Sequence, residues 1–186
     1  MGAHPGRGRA QPPGRGRPPG LTPTVIEAGD LILEPLRVTH AEEMSAALAD
    51  PELFRYIGGS PPSVARLRSR YTDMLAGSEE PGVSWCNWVI RTADGTAVGT
   101  VQATVGPVPG GRAAVLAWLV GAPWQRRGIG TRATRALVEW LHARGVRPVT
   151  AHIHPGNAAS AAIARNCGLH PTDRWADGEV VWTEAE

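Results

Sequence analysis

The segment Gln125-Arg126-Arg127-Gly128-Ile129-Gly130 decides how this sequence is interpreted. It follows an apolar run over 113–120, which we predict as a central strand, and it precedes a predicted helix over 130–144. The first backbone N–H groups of a helix lack internal partners, and the helix dipole adds partial positive charge there. Two glycines let backbone approach a diphosphate, and two arginines add charge-assisted hydrogen bonds. The segment therefore predicts an anion-binding loop.

Two other phosphate-binding motifs compete for this segment. A P-loop requires a lysine after its last glycine, and the chain contains no lysine. The stretch Gly128 to Ala133 formally matches the dinucleotide fingerprint G-x-G-x-x-G/A. That fingerprint opens the first βαβ unit and is followed by an acid for the ribose, whereas here it follows four predicted strands and 146–157 contains no acid. The P-loop is therefore excluded, and the dinucleotide alternative is weak.

The remaining pattern predicts an α+β protein with helices packed on a mixed sheet. Asp94-Gly95 and Asp177-Gly178 indicate hairpin turns, and Gly77 and Gly145 end helices. The predicted elements, in chain order, are a strand over 31–36, helices over 39–50 and 64–76, strands over 85–91, 97–105 and 113–120, a helix over 130–144, a strand over 149–153, a helix over 157–168 and a hairpin over 175–182.

Composition separates a tail from a single domain. Residues 1–23 hold six Gly, six Pro and four Arg with few large apolar side chains, so we predict a disordered tail followed by one domain over 24–186. Without the four tail arginines, 15 arginines face 17 acids. This near-neutral balance argues against a nucleic-acid partner.

The cysteines and the hydropathy pattern predict a cytoplasmic protein. Cys86 and Cys167 are too few for a disulfide framework and lack zinc-type spacing. The tail lacks the apolar stretch of a secretory signal, and the longest apolar run, 113–122, is much shorter than the ~18 residues of a membrane span. We therefore expect neither secretion nor a membrane partner.

The anion-binding loop also resembles a known signature. Gln125 to Gly130 is similar to the Q/R-x-x-G-x-G/A coenzyme A signature of the GNAT superfamily of N-acyltransferases, and the resemblance extends over roughly 29–183. Trp118-Leu119-Val120 resembles the splayed fourth strand of that family. Asn157-Ala158-Ala159-Ser160 and Asn166-Cys167-Gly168-Leu169 resemble the N-x-x-S and x-x-G-Phe pieces of the branch with ribosomal-protein and small-amine acetyltransferases, except that Leu169 replaces the aromatic.

The resemblance implies a fold and a co-substrate. It implies a three-layer α/β/α domain whose mixed, mostly antiparallel sheet has flanking helices, and an acyl-CoA N-acyltransferase activity over residues 24–186. It implies acetyl-CoA as co-substrate, without a metal. The residues that it implies for coenzyme binding are Trp118, Leu119, Val120, Gln125, Arg126, Arg127, Gly128, Ile129, Gly130, Thr131, Asn157 and Ser160.

Catalytic residues are predicted less directly. Ser160 is the best candidate to protonate or hydrogen-bond the leaving thiolate, although it equally suits a helix-start hydrogen bond beside Asn157. A glutamate found on the fourth strand of relatives is absent here, since 114–116 is Ala-Val-Leu. His152 and His154 share a face of a predicted strand and suit a general base, acting directly or through water, or a structural role. Without a third ligand, they do not predict a metal site.

The expected reaction is direct acetyl transfer to a primary amine of a small molecule, such as an amino acid, a polyamine or an antibiotic-like metabolite. Loop residues Phe54 and Tyr56 are candidates to line the acceptor pocket. Acetylation of a protein N-terminus and a non-catalytic acetyl-CoA-binding regulatory module are the alternatives. The sequence leaves a homodimer open.

Overall fold

The computed structural model describes residues 20–185. Most of the predicted tail, 1–23, lies outside this range. Within it, the Leu21 N–H donates to Ser84 Oγ at 3.0 Å, and Trp88 Nε1 donates to the Thr24 carbonyl at 2.8 Å. Leu21 and Thr24 therefore contact the domain, and the boundary that the composition predicts stays a prediction.

One eight-stranded mixed sheet forms the middle of the molecule, in the order β1-β2-β3-β4-β5-β6-β8-β7. Within residues 20–185, β5 and β6 pair in parallel and the other neighbouring strands pair antiparallel. The strands are β1 Ile26–Ala28, β2 Leu31–Pro35, β3 Ser84–Thr92, β4 Ala97–Val108, β5 Gly111–Val120, β6 Val146–Ile153, β7 Leu169–Ala176 and β8 Glu179–Glu184.

In the part of the chain that the structure describes, four α-helices cover the two faces of this sheet, which confirms the three-layer α/β/α architecture. They are α1 Ala41–Ala47, α2 Val64–Ala76, α3 Ile129–His142 and α4 Ala158–Asn166. Helices α1 and α2 pack on one face, and α3 and α4 pack on the other. Among residues 20–185, no helix has the length and apolar character needed to cross a membrane.

The predicted elements differ from the observed ones mainly at their ends. The helix predicted over 39–50 is a 3-10 turn, Val38–His40, followed by the shorter α1. Strand β1 was not predicted, because three residues carry too little periodicity. Strand β4 continues past the predicted end to Val108 and turns at Gly110, whose φ of 85° favours glycine.

Aromatic packing fixes α3 against the sheet. Trp88 on β3 is fully buried and meets Trp140 of α3 edge to face, with ring centroids 5.1 Å apart. The indole Nε1 of Trp140 also donates to Thr24 Oγ1 at 2.9 Å. Truncating a buried tryptophan of this kind costs about 3–5 kcal/mol of stability. This packing holds the axis of α3, and hence its first turn, in a fixed position.

A buried polar network fixes α1 to the opposite face. His40 Nδ1 accepts from the Arg37 N–H at 3.1 Å, and its Nε2 lies 3.3 Å from Glu34 Oε2. Arg91 joins that carboxylate, with Nε 2.5 Å from Glu34 Oε2, to Glu43 on α1, with NH1 2.7 Å from Oε2. Burial lowers the pKa of His40, and the Arg91 hydrogen bond lowers the pKa of Glu34. The network therefore holds a neutral imidazole beside a charged carboxylate.

Candidate functional site

The predicted anion-binding loop joins β5 to α3 through two left-handed residues, Arg126 with φ 62° and Gly128 with φ 71°. Helices α2 and α4 begin with side-chain caps, at Ser63 and Asn157. Helix α3 begins at Gly128 with no side-chain cap and no acid in its first turn. Its first N–H groups are therefore open to an external acceptor, and the helix dipole favours an anion there.

The structure requires glycine at Gly128 and at Gly130 for different physical reasons. A Cβ built on Gly128 meets no atom within 4 Å, so the glycine provides the left-handed turn and open space above the helix start. A Cβ on Gly130 would lie 2.7 Å from Ile163 Cδ1 of α4. Gly130 therefore allows α3 and α4 to pack closely, in addition to the predicted room for a diphosphate.

The other loop residues are not equivalent. Gln125 Nε2 donates to the Val120 carbonyl at 2.9 Å, so this side chain holds the loop against the end of β5. Arg126 lines the cleft described below, whereas Arg127 is exposed and does not line it. Contact of the coenzyme with Gln125 or Arg127 remains a prediction, and Arg126 is the better placed of the two arginines.

Strands β5 and β6 separate beside this loop. Their parallel pairing ends at Leu116 and Ala151, while β5 continues to Val120 paired with β4 alone. Trp118 lies opposite Val101 of β4 in that last stretch. Main-chain groups of β5 beyond Leu116 consequently have no β6 partner on one side, and a ligand can pair with them. This gap corresponds to the splayed strand that the resemblance implies.

The gap opens into a cavity of about 390 Å³, here called the loop cleft. Its walls are the end of β5, the loop and first turn of α3, the first turns of α4, and the segment between α1 and α2. The lining residues are Glu52, Leu53, Tyr56, Ile57, Trp118, Leu119, Val120, Trp124, Gln125, Arg126, Gly128, Ile129, Gly130, Thr131, Asn157, Ala159, Ser160, Ala162 and Ile163.

Ser160 lies in the wall of the loop cleft. Its N–H donates to Asn157 Oδ1 at 3.1 Å, which completes the cap of α4 and leaves the hydroxyl for other contacts. Asn157 therefore stabilises the first turn of α4 and so positions Ser160. The structure brings these two residues together with the α3 start, as the sequence predicts.

Tyr56 enters the loop cleft from the segment between α1 and α2. Its ring centroid lies 5.1 Å from that of His154, and a Cβ on Gly156 would approach Tyr56 Cε1 to 3.2 Å. The tyrosine therefore crosses the cleft from one wall to the turn after β6. The sequence indicates Tyr56 only as an acceptor-pocket residue, because nothing local to it shows which cavity the loop would line.

The two predicted base candidates lie outside this cavity. His152 is exposed on β6, paired with Val181 of β8. His154 is exposed after the strand, and its Nδ1 accepts from the Gly156 N–H at 3.0 Å. Neither histidine lines the loop cleft, and neither lines the second cavity, which is described next. A role as general base for either histidine therefore requires a relay through water.

A second cavity of about 270 Å³, here called the sheet cleft, lies between the sheet and helix α2. Trp118, Leu119 and Ile57 line both cavities, so the two meet at the end of β5. The lining residues are Leu36, Leu48, Phe54, Ile57, Gly58, Pro62, Leu67, Arg70, Tyr71, Met74, Asn87, Trp88, Thr100, Val101, Gln102, Ala117, Trp118 and Leu119. Phe54 lines this cavity, and its role in acceptor binding stays a prediction.

Burial suppresses ionisation of the other candidate nucleophiles and acids. It raises the pKa of Tyr71 in the sheet cleft to about 12 and the pKa of both Cys86 and Cys167 to about 11. Cys167 Sγ also donates to the Thr131 carbonyl at 3.6 Å. These thiols are therefore protonated near neutral pH. No group of three or more potential metal ligands occurs among residues 20–185.

The mixed sheet with helices on both faces makes the protein an α/β/α sandwich, in which the uncapped start of α3 follows the gap between the parallel strands β5 and β6. The family model described as the acetyltransferase (GNAT) domain matches residues 30–170. This chain therefore belongs to the GNAT acetyltransferase family. No curated protein matches the sequence significantly.

Solved structures show the same fold at low sequence identity. The microcin self-immunity acetyltransferase MccE, in complex with acetyl-CoA and AMP, is 16% identical, has a TM-score of 0.73 and covers 90% of this chain and 99% of its own. The ribosomal α-N-protein acetyltransferase RimL, in complex with coenzyme A, is 16% identical, has a TM-score of 0.70 and covers 86% of this chain and 96% of its own. AAC(6')-Ib, in complex with an aminoglycoside and acetyl-CoA, is 19% identical, has a TM-score of 0.67 and covers 83% of this chain and 92% of its own.

Proposed function

We propose that this protein is an acetyl-CoA-dependent N-acetyltransferase that transfers the acetyl group directly to a primary amine. The observation that carries the proposal is the uncapped start of α3 at Gly128, which faces a cavity beside the unpaired end of β5. Each solved relative described above binds coenzyme A or acetyl-CoA. Membership of the GNAT family supports the same co-substrate.

The loop cleft provides groups that suit each part of acetyl-CoA. The open N–H groups of the first turn of α3 bind the diphosphate, with Arg126 as a charged partner. The unpaired edge of β5, from Trp118 to Val120, offers main-chain hydrogen bonds to the extended pantetheine arm. The thioester then lies where the two cavities meet, beside Leu119.

The reaction requires an acceptor amine in its neutral form, polarisation of the thioester carbonyl and a proton for the thiolate. The amine approaches from the sheet cleft, while main-chain N–H groups near Leu119 and Val120 stabilise the oxyanion. The thiolate leaves on the loop-cleft side, where hydroxyl groups of Ser160, Tyr56 and Thr131 line the wall. We assign Ser160 the proton-donating or hydrogen-bonding role, with Tyr56 as the alternative.

The acceptor that we propose is a small molecule. The sheet cleft has a volume of about 270 Å³ and is bounded by α2 and by the segment between α1 and α2. A cavity of this size suits an amino-acid-sized compound. RimL acts on a protein N-terminus, so peptide acceptors are the alternative to test.

An acceptor screen tests the proposal. Purified protein is incubated with acetyl-CoA and a panel of amino acids, polyamines, amino-modified metabolites and N-terminal peptides, and release of free thiol is followed. We expect release with at least one small amine. Release with peptides alone would favour the protein N-terminal alternative. Tight coenzyme binding without turnover on any acceptor would instead indicate a regulatory acetyl-CoA-binding module.

A further inference from the structure

The sheet cleft differs from the loop cleft in its charge. Among its lining residues no Asp or Glu occurs, and the single charged side chain is Arg70 of α2. The remaining polar lining is neutral and includes Asn87 and Gln102, which lie directly opposite one another on β3 and β4. A cationic acceptor body would find no counter-ion in this cavity.

Arg70 reaches the sheet cleft because of its place on α2. It follows the buried Leu67 by one turn and precedes Met74 by one turn, and all three line the cavity. Residues three and four apart share a helix face, so Arg70 lies beside the apolar stripe of α2. Its exposed position keeps the guanidinium hydrated at the rim, and the rest of the lining is mostly apolar.

The charge of Arg70 is not neutralised within the described residues. Its neighbour Arg68 pairs with Glu42 of α1, and Arg91 pairs with two glutamates. The Arg70 side chain makes no ion pair or hydrogen bond in the structure of residues 20–185. An arginine fork without a protein partner, at the rim of a cavity without acids, is complementary to a carboxylate or a phosphate monoester.

We infer that the acceptor is an amphipathic amine that also carries an anionic group, and that Arg70 binds this group. The inference rests on the proposed function, because it assumes that the sheet cleft admits the acceptor. An amino acid with an apolar side chain satisfies both the charge and the apolar lining. A polyamine does not, because its second cationic end would lie near Arg70.

Matched acceptor pairs test this specificity. Phenylalanine and phenethylamine differ by a carboxylate, and O-phosphoethanolamine and ethanolamine differ by a phosphate, so the two pairs distinguish the two anions. We expect the wild-type protein to prefer the anionic member of one pair. Arg70→Met should lower kcat/KM for that member about tenfold, mainly through KM, which is the fold-change typical of one charge-assisted hydrogen bond. It should leave the neutral member unchanged.

Arg66→Met is the matched control, because Arg66 is an exposed arginine on the same helix that does not line the sheet cleft. Arg66→Met should leave kcat/KM unchanged for both members of each pair. A loss at Arg70 that is equal for the anionic and neutral members, or no loss for either, would overturn the inference. Unchanged thermal unfolding of Arg70→Met separates the effect from misfolding.

A binding experiment makes the inference testable without turnover. N-acetylphenylalanine and N-acetylphenethylamine are titrated calorimetrically into the protein loaded with coenzyme A. We expect tighter binding of the carboxylate compound in the wild type and equal binding in Arg70→Met. Equal binding in the wild type, or no binding of either compound, overturns the role of Arg70. Absence of thiol release with every amine would instead count against the proposed acetyl transfer.

Discussion

Gly128→Glu tests the placement of the diphosphate more directly than any other substitution. The position is left-handed, with φ 71°, and a side chain there would meet no protein atom within 4 Å of its Cβ. The new carboxylate would project into the space above the open N–H groups of α3. It would repel a bound diphosphate and compete with it for those groups.

The size of the effect follows from Coulomb's law. A carboxylate about 5 Å from one phosphate charge costs roughly 1–3 kcal/mol for an effective dielectric constant between about 80 and about 20. Each 1.4 kcal/mol changes an equilibrium constant about tenfold, so the Kd for acetyl-CoA should rise roughly 5- to 100-fold. This rise in Kd should be smaller at high salt, since ions screen exposed charges.

Two matched variants separate charge from backbone strain. Gly128→Gln has nearly the same shape and the same left-handed backbone cost, about 1–2 kcal/mol, but no charge. Gly178→Glu places the same charge at another left-handed glycine, φ 83°, in the β7–β8 turn outside both cavities. Calorimetric titration of acetyl-CoA should show weakest binding for Gly128→Glu and wild-type binding for Gly178→Glu. Equal Kd values for the Glu and Gln variants at Gly128 would refute the placement.

Three further substitutions or conditions test the remaining parts of the structure. Ser160→Ala keeps the N–H that caps α4, so it should lower kcat at least about tenfold without changing the Kd for acetyl-CoA; an unchanged rate would return Ser160 to a structural role and favour Tyr56. Asn157→Ala should lower the urea unfolding free energy by about 1 kcal/mol, and Asn157→Asp, which keeps the capping oxygen, should not; equal loss in both would contradict the cap. Burial lowers the pKa of His40 in the folded chain, so below pH 6.5 the unfolded chain binds a proton more readily than the folded chain does. The free energy of unfolding should therefore fall by up to ~1.4 kcal/mol for each pH unit below 6.5. His40→Gln should flatten that slope in urea titrations between pH 7 and roughly 5, and an identical slope would show that other groups control it.

Local signals account for what could be predicted about the fold. The helix over 64–76 has a serine cap before it and a left-handed glycine after it, and both ends match the structure. The Asp94-Gly95 step predicts the β3–β4 hairpin, because glycine readily adopts the positive φ of such a turn, and Gly95 has φ 84°. Strand β1 could not be predicted, because its pairing with β2 carries the signal and that contact is not local.

In the candidate site, too, local features could be predicted from the sequence, whereas features that depend on tertiary contacts could not. The alternation of His152 and His154 predicts a shared strand face, but β6 ends at Ile153, and only the tertiary structure shows that neither histidine lines a cavity. Tyr56 and Arg70 carry no sequence motif. Their places depend on where α2 and the preceding segment pack on the sheet, which involves contacts between distant parts of the chain.

By itself, the sequence predicts the type of ligand that the loop from Gln125 to Gly130 can hold. The two glycines, the predicted helix start and the absence of lysine are all visible in the sequence, and they suffice to predict a diphosphate at α3. Only the tertiary structure decided which second cavity adjoins the loop cleft at the end of β5. The separation of β5 from β6 and the position of α2 create the sheet cleft, and its single charge comes from packing that no short segment encodes.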